Sequence, residues 1–557
     1  MDSENQTPNK ISTKSEPQTN VTAFKRKSSG LKRVMSPYSA FVYNVLNIGV
    51  IFPWVYLLSA AVFPGASIWL GILLTTIFAS FIAIAYSGIA SVMPRTGGDY
   101  IFESRGLTPW VGFPVVATMI LFFFLQWDAI AGWLVSVLGL YPMFTSLGVT
   151  LNNPALISLG EWFATPWGTW ITTIVLGAIS TVVLIKGLQL FVKIQWFLWY
   201  SFLLSYAIIV ALLFLTPHSV FVANYNSATL KIDPSANPNF YQYIIDYETS
   251  QGFNPSLQFS WIATIGVMAI ALTSLGWVGY AQEQAGEIKS ADSFKKQLFI
   301  NFGGGIAAGL MMALLAFALV YQVGMKWLAA AAYGSYVSSN LSMPILPWFS
   351  TLIIALTSNP IIAFLATLGI TMAAVQVVMN VYIGQTRVAI AASIDQVLPS
   401  WVSKINKKTG TPVNIQVLFF VLGGIVYSWV YNFVPGWIQY TLAVTAVATI
   451  MYIATTLAAA LMPWKLKEAY SLSEVSKYKI GKVPLVTISG IIASAFSAWM
   501  LYYYITDPSL GVASIPSYAL ISGVFAAWVI YFALRRYYLW HKKGIDLDAT
   551  FREIPPT

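Results

Sequence analysis

The chain has 557 residues, of which 57% are hydrophobic and only 9% charged, whereas a soluble domain carries about 25% charged residues. That shortage of charge excludes a soluble globular protein and places the chain in a lipid bilayer. The absence of cysteine removes disulfide frameworks, thiol catalysis and Cys-based zinc sites, and a net charge of +10 signals nucleic acid only when it clusters on a soluble face.

Residues 1–36 are polar, lack the apolar core of a signal peptide, and read as a disordered tail ending in the basic run Lys25, Arg26, Lys27, Lys32, Arg33. A spanning helix takes about 20 residues. Apolar stretches of that length predict twelve spans, at about 39–63, 67–93, 110–139, 168–187, 189–215, 259–284, 297–323, 360–391, 412–433, 436–463, 484–506 and 514–540. A further apolar piece at 344–357, interrupted by Pro344 and Pro347, is too short to span and reads as an outer re-entrant or surface segment. Residues 541–557 form a second tail.

Twelve spans put both termini on one side, and this arrangement places 28 of the 30 Lys and Arg on that side, leaving Lys231 and Lys326 on the other. Positive charge marks the cytoplasmic side, so both ends are expected in the cytoplasm and the basic charge faces lipid headgroups, with no nucleic-acid partner. The long loops 216–258 and 324–358 fall outside, either as a surface cap or as a lid over an entry path.

An unwound stretch inside a membrane helix is tolerated only where it lines a cavity or packs against protein. The first span carries Asn44, Asn47, Gly49 and Pro53, and a break near residues 47–51 follows from the missing proline donor and the glycine. The sixth span carries Thr273, Ser274, Gly276 and Gly279. Spans 1 and 6 occupy matching places in two five-helix halves that start on opposite sides, and paired broken helices in inverted halves point to a transporter's substrate site. Broken ends offer N–H groups to a carboxylate and C=O groups to an ammonium or a sodium ion. An amino acid presents both charges.

Three segments carry a resemblance: YSGIASVMPRTGGDYIFESRGL at 86–107, AGEIKSADSFKKQL after the sixth span, and GQTRVAIAASIDQVLPSWVSKINKKTGTPVN at 384–414. Together they resemble the amino acid permeases of the amino acid, polyamine and organocation superfamily. The resemblance implies an all-α membrane protein of twelve transmembrane helices, with inverted repeats at about 39–215 and 259–463 and two outer helices at 484–540. It places the substrate between the breaks, at Asn47, Ile48, Gly49, Val50, Ile51, Thr273, Ser274, Gly276 and Trp277, with Trp277 as an occluding ring. Three departures stand out, one of them an extra residue in helix 6 between Gly276 and Glu287. Asn47 replaces the first glycine of the family's helix 1 pair, and Phe202 stands where some proton-coupled members carry a lysine.

A carboxylate inside a span is a functional candidate by default. Asp128, expected in the outer half of the third span, could bind a substrate ammonium, carry a proton, or pair with a polar neighbour. Glu283 lies seven residues past Gly276, two helical turns or about 10 Å, so Gly276, Tyr280, Glu283 and Glu287 would share one stripe. Glu283 could titrate along an inward path or simply reach the interface. Glu287 is expected at the cytoplasmic mouth, facing Arg95, Arg387 or Lys289 as an inner gate or as an ordinary solvated pair.

No nucleophile with a base, no metal cluster and no filter-like ring of charges is legible, and no GxxxxGK[ST] motif marks an ATP site. The expectation is a secondary active importer of amino acids in the cell membrane, an alternating-access permease without cofactors, coupled to protons. The alternatives are sodium coupling through helix 8 hydroxyls such as Thr371, an exchanger of amino acids or polyamines, and a transporter-like sensor.

Overall fold

The computed structural model describes residues 30–406, 408–435, 437 and 443–555; residues 1–29, most of the expected tail, lie outside them. Among the described residues, eleven helices are long and apolar enough to cross a membrane. They are Ile68–Val92, Pro109–Thr150, Pro166–Lys186, Leu188–Leu215, Trp261–Glu283, Phe294–Val323, Pro360–Ile394, Val413–Phe433, Ala443–Lys465, Leu485–Thr506 and Ile515–Lys543. The first expected span is the one missing from that count, because it forms two helices, Pro37–Ile48 and Trp54–Val62. Each is shorter than a crossing requires.

Local chemistry sets that division. Ser36 accepts the N–H of Ser39 at 3.0 Å and Pro37 opens the first turn, where its missing donor costs nothing. Gly49 then ends the helix with φ +79°, and a Cβ at that position would stand 2.1 Å from the Phe52 ring. The chain turns through residues 50–53 and restarts at Trp54. In the sixth span the α-helix Trp261–Leu275 tightens at Gly276 into a 3-10 helix over Gly276–Glu283.

The third expected span is corrected from 110–139 to a continuous helix over Pro109–Thr150. Pro142 suggests an end there, yet it follows a wide π turn at Leu134–Leu140, the kind of local adjustment that lets a membrane helix continue past proline. The 344–357 piece is not a surface segment. Phe349, Leu352 and Ile353 are buried, because their apolar side chains pack into the protein instead of covering it. Short helices at His218–Ile232, Phe240–Ser250 and Met325–Tyr333 fill the two long loops.

Both described ends pack onto one face, called here the terminal face. The N–H groups of Val34 and Met35 donate to the Glu287 carbonyl at 2.9 and 3.0 Å, and the Lys289 N–H donates to the Met35 carbonyl at 2.9 Å. Residues 34–36, expected in a disordered tail, are thus fixed by backbone pairing. At the other end the Leu547–Phe551 helix folds back, the Phe551 ring lies 4.8 Å from the Arg105 guanidinium, and Arg95 Nε donates to the Pro555 carbonyl at 2.6 Å. Exposed apolar residues such as Ile530 and Leu534 on the last helix suit contact with lipid tails.

Candidate functional site

The two interruptions meet. Asn44 Nδ2, below the first break, donates to the Val278 carbonyl at 2.8 Å, and Trp54 Nε1, above it, donates to Thr273 Oγ1 at 3.0 Å. Each half of the first span is thereby tied to the corresponding half of the sixth. Between the two ties lies a cavity of about 10 Å³ lined by Asn47, Phe52, Phe124, Trp127, Trp277, Tyr280, Val377 and Val381. Trp277 sits edge-on to Trp127, Tyr280 and Tyr452, at centroid distances of 6.3, 5.6 and 5.6 Å.

On the far side a vestibule of about 650 Å³ descends to the same place, its floor containing Trp54 and Trp127. Trp127 lines both spaces and separates them, with Phe52 stacked on Trp54 at 4.6 Å and 5.6 Å from Trp127. Trp348 and Tyr336, from the second long loop, line the vestibule wall. No Asp, Glu, Lys or Arg is among its lining residues.

The terminal side is closed by charge. Arg387 grips Glu287 with two hydrogen bonds, Nε to Oε2 at 2.7 Å and Nη2 to Oε1 at 2.9 Å. Arg105 Nη2 bonds Asp395 Oδ2 at 2.7 Å, where Tyr100 also donates at 2.8 Å. All of these side chains are buried. Above them Tyr43 and Tyr280 stack at 6.0 Å and both donate to the Asn380 carbonyl, at 3.2 and 2.9 Å.

Of the residues singled out in the sequence, Asn47 and Trp277 line the central cavity and Gly276 packs beside it, where a Cβ would meet the Tyr452 ring at 2.4 Å. Ile48 is buried, and Ser274 is buried with a hydroxyl that makes no hydrogen bond. Thr273 holds Trp54. Val50 and Ile51 turn toward a separate small apolar space shared with Phe202, Ser205 and Ile370, and the Val50 carbonyl accepts from Tyr56 at 2.6 Å.

One expectation is narrowed and one corrected. Of the three roles open to Asp128, the structure shows pairing with a polar neighbour; Asp128 sits near the middle of its long helix, not in its outer half, and does not line the central cavity. Its Oδ2 accepts from Gln385 at 3.2 Å and lies against Gly423, where a Cβ would approach to 1.8 Å. The stripe of Gly276, Tyr280, Glu283 and Glu287 is likewise broken up, since a 3-10 helix turns every three residues and rises about 2.0 Å per residue. Glu283 is buried at the end of that segment, and Glu287 pairs with Arg387 among the three cations considered. Sequence reading missed Phe52, Trp54, Phe124 and Trp127. The one available signal was that Trp127 adjoins Asp128 on a helix, where neighbours point about 100° apart.

The sequence model described as amino acid permease matches residues 38–532, and the chain belongs to that family. It is a multi-pass membrane protein and a transporter for amino acids. A search of curated proteins found no match.

Proposed function

We propose that this permease imports amino acids by alternating access, driven by protons, with its terminal face toward the cytoplasm and its spans arranged as two inverted five-helix repeats plus two outer helices. One observation carries the reading: a small central cavity between the interruptions of two helices, with an aromatic lid and a vestibule on one side and buried ion pairs on the other. Backbone N–H and C=O groups released by further unwinding at Gly49 and Gly276 would suit the carboxylate and ammonium of an amino acid. Asn47 and Tyr280 are the polar side chains in an otherwise apolar lining, so the preferred substrate has an uncharged side chain. A polyamine would call for carboxylates there, and Asp128 faces elsewhere.

Protons are favoured over sodium by the donor chemistry near the first break. The Thr371 hydroxyl donates to the Thr367 carbonyl at 2.9 Å and faces Gly139 of the long helix. The space beside Val50 and Ile51 is lined by Phe202, Tyr206, Ile209, Leu315, Phe349 and Ile370, its Ser205 hydroxyl is engaged by the Ala366 carbonyl, and the Tyr206 hydroxyl donates to the Met311 carbonyl at 2.9 Å. A hard cation needs several oxygen ligands.

Liposomes holding the purified protein, given a pH gradient or a sodium gradient separately against a panel of labelled amino acids, test this directly. Accumulation of a neutral amino acid under the pH gradient alone is expected. Accumulation under sodium alone would transfer the coupling to sodium, and exchange without accumulation would make the protein an exchanger.

A further inference from the structure

Five buried carboxyl side chains cluster near the terminal face: Asp99, Glu103, Glu283, Glu287 and Asp395. Glu287 and Asp395 each hold a guanidinium. Asp99, Glu103 and Glu283 have no ion-pair partner among the described residues, although they are 3%, 0% and 1% exposed. Three unpaired carboxylates at such short range cannot all be ionised away from water.

The hydrogen bonds say where protons sit. The Thr455 hydroxyl lies 2.5 Å from Asp99 Oδ1 and 3.1 Å from Glu103 Oε1, yet it owns one hydrogen. One hydrogen can serve both acceptors only as a shared, weaker bond, whereas a proton on one of the two carboxyls lets that acid donate to the Thr455 oxygen and makes both contacts full hydrogen bonds. The Asp99 backbone N–H donates to Glu283 Oε1 at 3.4 Å, which brings the third acid against the other two, and the second oxygen of Glu283 is buried without a hydrogen-bond partner among the described residues. The Tyr86 hydroxyl reaches Asp99, and the Tyr452 hydroxyl, buried near Asp99, has no hydrogen-bond partner among the described residues.

We propose that Asp99, Glu103 and Glu283 form a proton-binding site that is loaded while the terminal face is closed and empties to that side when the face opens. The inference rests on the proton-driven reading above and names its site. Bound protons leave as O–H bonds of the carboxyls break to entering water, which departs as hydronium and leaves carboxylates behind.

Geometry links the site to the substrate cavity. Glu283 ends the 3-10 segment that begins at Gly276, so one element carries the ring of Trp277 at its top and an acid of the cluster at its foot. That foot is clamped to the segment bearing the other two acids: the Gly97 N–H donates to the Glu283 carbonyl at 2.7 Å, and a Cβ on Gly98 would stand 2.7 Å from the Gln282 carbonyl. Tyr452 packs edge-on against Trp277 at 5.6 Å and presents its hydroxyl toward Asp99. Moving the 3-10 segment away from Gly97 and Gly98 separates Glu283 from Asp99 and lets water in.

The titratable and charged groups around the cluster are these. Tyr86 faces it from the Ile68–Val92 helix and Tyr452 from the Ala443–Lys465 helix. Tyr43 comes from the first span and Tyr280 from the 3-10 segment itself. The Glu287–Arg387 and Arg105–Asp395 pairs flank it, each already neutralised.

The test uses full-length protein in liposomes loaded with a pH-sensitive dye, with unlabelled leucine added outside and labelled leucine followed in parallel for accumulation and for exchange. The wild type should acidify the lumen when leucine enters. Glu283→Gln and Glu103→Gln should each lose leucine-driven acidification and gradient-driven accumulation while still exchanging leucine, because exchange needs no net proton movement. Retained exchange also certifies folding. Leucine-driven acidification and accumulation at wild-type levels in both variants would overturn the site and leave proton coupling standing. Equal loss of exchange and accumulation would reduce the cluster to a structural role and overturn it as well. If the wild type accumulates leucine without acidification, the proton-driven reading itself fails.

Discussion

The two sides of the central cavity are built from opposite materials. Toward the terminal face the closure is ionic and directional: a two-bond Arg387–Glu287 grip, a second pair at Arg105–Asp395, and backbone pairing of Met35 with the stretch after Glu287. Toward the far face it is a stack of Phe52, Trp54, Trp127 and Trp277 beneath a vestibule with no charged side chain among its described lining residues. Ion pairs in a low-dielectric interior have two discrete arrangements, made or broken, and breaking one by removing a partner is costly. Aromatic rings can slide and tilt with small changes in contact energy, since dispersion is summed over many weak pairs. The difference teaches that the terminal side acts as a latch, while the far side can adjust its shape to the substrate it admits.

The latch can be broken most severely at Arg387. Arg387→Ala leaves Glu287 buried without its partner, a loss of about 3–5 kcal/mol for such pairs, and should shift the population toward a terminal-open state. The chain has no cysteine, so a Thr96→Cys reporter beside the latch should become labelled by thiol reagents from the terminal side in that background. Replacing both partners, Glu287→Leu with Arg387→Met, should recover most of the closure. Unchanged labelling after Arg387→Ala would mean the pair is not the latch.

Trp277→Ala attacks the other side. It removes the ring that meets Trp127, Tyr280 and Tyr452 and should strongly impair net uptake while leaving the protein inserted. Wild-type uptake rates would take Trp277 out of the site.

Asp128 belongs to neither closure, and its replacement measures that. If it held the substrate ammonium, Asp128→Asn would cost about 1.5–3 kcal/mol, roughly tenfold or more in affinity. Its position against Gly423 and Gln385 predicts instead that exchange and gradient-driven uptake both survive, read in the same liposomes. Loss of uptake with exchange intact would make Asp128 a proton carrier.

The smallest effect is expected in the far-side cap. Glu248 is buried beneath it, with Oε2 accepting from Ser338 at 2.7 Å and Oε1 unpartnered, and burial holds its carboxyl above the usual value. A carboxyl raised on folding stabilises the fold in its protonated form, so its charge becomes a penalty as pH rises from the unfolded value through the raised one. Glu248→Gln should therefore raise the melting temperature slightly at neutral pH and lose that advantage in acid. A difference that does not depend on pH would remove Glu248 as the cause.

Much of this contrast was legible in the sequence, and the rest was hidden by helix geometry. Gly49 with Pro53, and the Thr-Ser-Leu-Gly run ending at Gly276, announce the breaks because glycine and proline act on the backbone itself. Glu287 could be matched to a short set of cations because charge inside a membrane seeks a partner. Facing directions were not legible. The 3-10 turn after Gly276 changes the repeat from 3.6 to 3 residues and scatters the stripe expected there. The π turns of the long third span shift its register, so the charge on Asp128 drew notice while its neighbour Trp127 lines the cavity. Asp99 and Glu103 lie beyond the ends of any span, and only folding brings them against Glu283.

Accessibility of the central cavity tests the account most directly. Val381 lines it from the Pro360–Ile394 helix, so Val381→Cys places the only thiol of the chain there. The account predicts that a small aqueous thiol reagent reaches it mainly from the far side, that a transported amino acid protects it, and that reaction from the terminal side is slow in the intact protein and speeds up when Arg387 is replaced. Equal reaction from both sides in the otherwise intact protein, or no protection by any amino acid, would contradict a single central site closed by a latch.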